Sequence, residues 1–176
     1  MTEDARYHLA QFNVATLRHP LDDLRTADFV ALLDPVNALA DAAPGFVWRL
    51  VEEGRPDATG MRPAGADVIV NYSVWESAEA LWDFVYRSAH LATMRRRREW
   101  FHRHAEAHVV MWWIPAGRVP TVEEALERLD LLRAEGPSPR AFTFSSAYTA
   151  EEAAAGETAG ETAGEAAGAG PAALRG

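Results

Sequence analysis

Residues 108–114 read His-Val-Val-Met-Trp-Trp-Ile and are closed by Pro115 and Gly117. β-Branched and aromatic residues in an unbroken run between turn formers predict a strand. Adjacent side chains on a strand point to opposite faces. Trp112 and Trp113 therefore put one large indole on each side of a sheet, and both faces need cover. In a chain of 176 residues the cheapest second cover is another copy of the same sheet, so a homodimer packed sheet to sheet is expected.

Upstream, Ser77 opens a segment of helical period. It is a natural N-cap, Glu76 and Glu79 sit at the positive end, and Leu81, Phe84 and Val85 keep i, i+3, i+4 spacing. The helix is expected to continue, with a bend, through Arg95–Arg98 to His104. Asp67–Trp75 and Phe46–Val51 read as strands joined through a Gly- and Pro-rich connection at 54–65. Asp28–Asp41 has the apolar spacing of a helix that Pro35 should kink or divide, and Ala43-Pro44-Gly45 turns the chain. Tyr7–Val14, with a period near two, is the first strand. Downstream, Thr121 caps a helix over Val122–Ala134 that stops at Gly136-Pro137, and Ala141–Ser145 is a last short strand. The order β-α-β-β-α-β, then α-β, predicts an α+β fold: an antiparallel ferredoxin-like sheet with an added C-terminal helix and strand, over residues 6–148.

Composition narrows the chemistry. There is no cysteine, so disulfides and thiolate nucleophiles are excluded. All 17 basic residues are arginine, which removes Schiff-base and phosphate-loop lysines. A net charge of −9 opposes a nucleic-acid partner. No apolar run reaches the roughly 20 residues of a membrane span, and no signal pattern opens the sequence, so a cytoplasmic protein is expected. After Tyr148 the aromatics stop and AGETAGETAGEAAG begins; residues 149–176 are expected to be a disordered, solvated tail.

Tyr72-Ser73-Val74-Trp75-Glu76-Ser77, followed by Glu79, Leu81, Phe84 and His90, resembles dimeric α/β-barrel proteins of the antibiotic-biosynthesis-monooxygenase type. The strings FVYRSAH, RRREWF, VVMWWIPAG and GPSPRAFTF resemble, within that superfamily, the bacterial domain-of-unknown-function family 3291 over residues 7–148. The resemblance implies the ferredoxin-like fold and the paired-sheet dimer. It implies no single reaction, because relatives include cofactor-free oxygenases of aromatic polyketides, isomerases and haem-degrading enzymes.

Trp82, Tyr86 and His90 recur every four residues, with Asp83 and Arg87 one position along, so on one helix they form a pocket wall. His90 is the candidate acid/base, with Tyr86 and Asp83 as its orienters; a structural histidine at the helix bend is the alternative. Strand parity puts Gln11 and Asn13 on one face, and Asn71, Ser73 and Trp75 on one face of their strand. Asn13, Asn71, Trp75 and Trp82 are therefore the expected pocket residues for a small apolar or aromatic molecule. The expected function is enzymatic, by monooxygenase-like oxygenation or proton transfer without a cofactor. Two alternatives stand beside it: a non-catalytic ligand-binding dimer, and a haem protein, since His90, Asn13 and Trp75 or Trp82 resemble the residue set of the haem-degrading relatives. The arginine block Arg95–Arg98 is expected to be solvated and ion-paired with Asp or Glu, with a dimer contact or an anionic substrate group as the alternatives. His102 and His104, two apart on a helix, diverge, and no metal-binding pattern accompanies them or His108.

Overall fold

The computed structural model describes residues 6–156. β1 (Tyr7–Thr16), β2 (Phe46–Arg49), β3 (Val68–Trp75) and β4 (Val109–Pro115) form one antiparallel sheet in the order β2-β3-β1-β4. The helices are α1 (Ala27–Asp41), α2 (Ala78–Arg87), α3 (His90–Trp100) and α4 (Val122–Glu135). This is the ferredoxin-like arrangement, in which two crossovers place β1 and β3 at the centre.

Register keeps parity across the three long strands: Leu9 lies opposite Trp75 and Trp113, and Phe12 opposite Tyr72 and Val110. One face carries Phe12, Val14, Tyr72, Val74, Val110 and Trp112, packed on Ala125, Leu129 and Leu132 of α4. The other carries Gln11, Asn13, Asn71, Ser73 and Trp75 and looks toward α1, α2 and α3. The two indoles divide as expected. Trp112 is fully buried under α4, and Trp113 packs on the opposite side, where its Nε1 donates to the Tyr148 carbonyl at 2.8 Å.

The cover assigned to a second copy of the sheet is thus supplied by the chain's own α4. The spacing of Ala125, Leu129 and Leu132, four then three residues, is that of a core-facing stripe, and the helix folds back over the sheet it follows. Thr121 Oγ1 accepts from the Glu124 amide at 3.2 Å and starts α4; Ser77 Oγ accepts from the Ala80 amide at 3.1 Å and starts α2. Gly45, at φ +77°, lets the turn after α1 rest on α2: a Cβ there would stand 2.6 Å from Ala80 Cβ.

Four expectations change. Pro35 does not divide α1, because the carbonyl it leaves unpaired, that of Ala31, is on the exposed side of the helix. The helix expected to reach His104 breaks at Ser88 and ends at Trp100. Trp100 and Phe101 are adjacent and both buried, and the chain satisfies both by turning Phe101 into a bridge with Leu17. The strand expected at Ala141–Ser145 is a single bridge, Phe142 with Met111, whose amides exchange bonds of 2.8 and 2.9 Å; tight turns at 138–141 and 143–146 stop it extending. Finally, helix resumes at 150–156. Thr149 Oγ1 accepts from the Glu152 amide at 3.2 Å and Glu152 Oε2 accepts from the Thr149 amide at 2.7 Å, a reciprocal capping box, while Ala150 and Ala153 are buried. Residues 157–176 of the expected tail lie outside the described residues. Among those described, no helix is long and apolar enough to cross a membrane.

Candidate functional site

The polar face of the sheet and helices α1 to α3 enclose a cavity of about 290 Å³. Its floor is built by strand alternation: every second residue of β1 and β3 turns toward it. Ser73 Oγ donates to Gln11 Oε1 at 3.2 Å and accepts from Trp75 Nε1 at 2.9 Å, which fixes the Trp75 ring through a buried chain of bonds. Asn13 lies opposite Asn71 in the register. Neither side-chain amide forms a hydrogen bond among the described residues, so both are available to a ligand. Phe29, Leu32, Val36, Leu81, Phe84 and Met94 make the helical walls apolar.

His90 enters at the start of α3. Ser88, in an extended conformation, ends α2; its hydroxyl donates to the Phe84 carbonyl and accepts from the His90 amide at 3.1 Å. The imidazole lies against the Phe84 ring at 4.8 Å, and its Nδ1 is buried without a partner. Burial pushes its pKa below the ordinary histidine value, opposed by the Val85 carbonyl. The ring is a neutral base at pH 7.

Asn13, Asn71, Trp75, Tyr86 and His90 all line the cavity; Trp82 and Asp83 do not. The break at Ser88 is the reason. With His90 on a separate helix, the four-residue rhythm from Trp82 no longer leads to it. Asp83 faces solvent and pairs with Arg87 at 3.0 Å. Trp82, 42% exposed and not among the lining residues, packs at a tilt on Tyr86 at 4.3 Å and edge-to-face with Phe144 at 5.1 Å. Tyr86 stands at the rim in that aromatic group rather than against His90.

Two more residues line the cavity that the sequence does not single out from their neighbours, Arg97 from its block and His108 from the other histidines. Arg97 turns inward, and its Nη1 donates to His108 Nε2 at 3.0 Å. An arginine has no acceptor, so His108 Nε2 is unprotonated. His104 stacks on His108 at 5.1 Å; it and His102 lie beyond the helix, not on it. The signal for Arg97 was present: His90, Met94 and Arg97 follow i, i+4, i+7 spacing once α3 is known to begin at His90. The block is otherwise solvated, with Arg96 bound to Asp28 at 2.9 Å and Glu99 at 2.8 Å. Among the described residues no three or more His, Asp or Glu side chains gather as a metal-binding group.

A family sequence profile, described as a domain of unknown function, matches residues 8–158. The chain belongs to DUF3291. Among curated proteins none matches it. Solved structures similar to this DUF3291 chain include SnoaB, a cofactor-independent oxygenase from Streptomyces nogalater, at 15% identity and TM-score 0.40 over 65% of this chain and 96% of that one. Rv0793 from Mycobacterium tuberculosis is similar at 18% identity and TM-score 0.43, covering 65% and 98% of the two chains. A dabb family protein with a ferredoxin-like fold from Mesorhizobium loti is similar at 15% and 0.39, covering 66% and 99%.

Of the residues that carried the haem resemblance, Asn13, Trp75 and His90 line the DUF3291 cavity. Trp82, one of the residues that carried the resemblance, is outside it.

The partly buried histidines of this DUF3291 chain make its stability pH-dependent. His90, His108 and His104 all have lowered pKa values, from burial first and, for the latter two, from the Arg97 charge next. Above about pH 6.5, the ordinary histidine value, folded and unfolded chains are both neutral at these sites. Below it the unfolded chain takes up protons that the folded chain refuses, so stability falls with pH down to the folded pKa values. His90 contributes at most about 1.4 kcal/mol per pH unit, and the less buried His108 and His104 less. The urea midpoint should therefore drop between pH 7.5 and 5.5, with a shallower slope in His90→Gln; a flat or rising midpoint contradicts this.

Proposed function

We propose that the chain binds a small apolar or aromatic molecule of one or two rings between sheet and helices and transfers a proton on it, with His90 as the base and no cofactor. The observation that carries this reading is an imidazole kept neutral by burial in the wall of an apolar cavity whose floor offers two unbonded amides. A phenol or enol bound there loses its proton to the neutral ring. The amides of Asn13 and Asn71 donate to the oxyanion left behind, and the apolar walls remove the water that would compete. Trp75, wholly buried and stacked on Phe84 at 5.0 Å, backs the aromatic wall on which the ligand's own rings rest.

Two outcomes follow from such an anion. Returning the proton at another carbon isomerises the substrate. With dioxygen as co-reactant, a ring CH₂ next to the activated system becomes C=O: one oxygen atom enters the product, the other leaves with the two hydrogens as water, and the substrate carbon supplies the electrons.

Binding is the first test. A hydroxynaphthalene should quench the tryptophan fluorescence saturably at one site per chain, and a four-ring phenol should not. Absence of saturable binding by any one- or two-ring phenol refutes the proposal.

A further inference from the structure

We infer that the ligand carries a carboxylate, held by Arg97 at the end of the cavity away from His90; this rests on the reading of the cavity as a small-aromatic site. The chain has 26 acidic residues, yet none of the side chains lining the cavity is Asp or Glu. Two arginines are. Arg49 already has its counter-ion, Asp41, at 2.7 Å and 3.2 Å. Arg97 has none: among the described residues no carboxylate pairs with it, and its partner is the neutral ring of His108. A partly buried guanidinium without an anion is an unrepaid desolvation cost, and a ligand anion offsets it.

Geometry favours a carboxylate. Nη1 is committed to His108, which leaves Nε and Nη2, the edge whose two parallel N–H bonds match a carboxylate fork. Along α3, His90 and Arg97 are two turns apart, about 10 Å. The group that reacts at His90 is therefore separated from the carboxylate by about the length of the ring system. The substrate class is a hydroxyaryl carboxylate with its hydroxyl on the remote ring.

The probe pair is a hydroxynaphthoate with the hydroxyl remote from the carboxylate, and its primary amide, titrated into the full chain by calorimetry. The acid should bind at least about tenfold more tightly than the amide. In Arg97→Leu and in Arg97→Gln, two replacements of different polarity whose folding is read from thermal melts, that ratio should fall to about one with the amide's affinity little changed. Arg98→Leu, on the exposed side of the same helix, should keep the ratio. Equal binding of acid and amide by the unaltered chain overturns the carboxylate and leaves the cavity reading standing. Binding of neither overturns both. A naphthyl phosphate that binds more tightly than the naphthoate overturns the choice of carboxylate as the anion.

Discussion

In His90→Ala, turnover of a bound phenol or enol falls by about 10²–10⁴-fold, the usual contribution of a positioned general base, while ligand affinity changes by less than about tenfold. The asymmetry follows from where the ring sits. His90 is one lining residue among many apolar ones, so its removal costs little contact, but it is the neutral nitrogen in the wall of α3 able to accept a proton. His90→Gln separates chemistry from packing: the amide fills similar space and hydrogen-bonds, yet cannot hold a proton at neutral pH, so it should be as slow as alanine. On the proposed mechanism, the rate of the unaltered chain should be flat above about pH 6.5 and decline below it, since the lowered pKa keeps the ring unprotonated into mildly acid solution. Turnover unaltered in both variants, with binding intact, leaves a binding module and removes His90 from the mechanism.

Trp112→Ala should cost about 3–5 kcal/mol, the range for deleting a buried aromatic ring, and lower the melting temperature by roughly 6–20 °C for a chain of this size. Trp112 is wholly buried at the centre of the face beneath α4. Its ring lies 5.7 Å from Tyr72, Arg128 stands over it at 5.9 Å, and its Nε1 donates to Glu124 Oε1 at 3.2 Å. Deletion opens a cavity and unfastens α4 together. Trp82→Ala, which removes an indole of the same size from a half-open position, should cost about 1 kcal/mol. Equal losses in the two variants would mean that α4 is not the cover of that face.

The fold was legible because its signals are local. Strand alternation in β1 and β3, the caps Ser77 and Thr121, and the Trp112-Trp113 pair each specify a conformation within a few residues. The site was legible to the same extent: parity alone grouped Gln11, Asn13, Asn71, Ser73 and Trp75. What failed needed tertiary information. Nothing in the spacing from Trp82 to His90 announces the break at Ser88, since serine is tolerated in helices and the side-chain bonds that stabilise the break exist only in the folded turn. Once the break is missed, Asp83 and Trp82 are drawn into the site and Arg97 is left outside. That α4 would cover one sheet face was not legible either, because a stripe such as Ala125, Leu129 and Leu132 does not say which sheet it will meet.

The sheet is written in two interleaved alphabets. Even-numbered positions of β1, with their partners on β3 and β4, pack dry against α4 and hold the molecule together; odd-numbered positions face a partly filled space and carry the hydrogen-bonding groups. Because the two sets share a backbone but not a neighbourhood, changes in one hardly perturb the other. A library confined to residues 13 and 71, whose amides hold no other part of the sheet in place, should therefore alter which molecules are accepted without eroding the scaffold, which makes this small sheet a natural starting point for directed evolution of new selectivity.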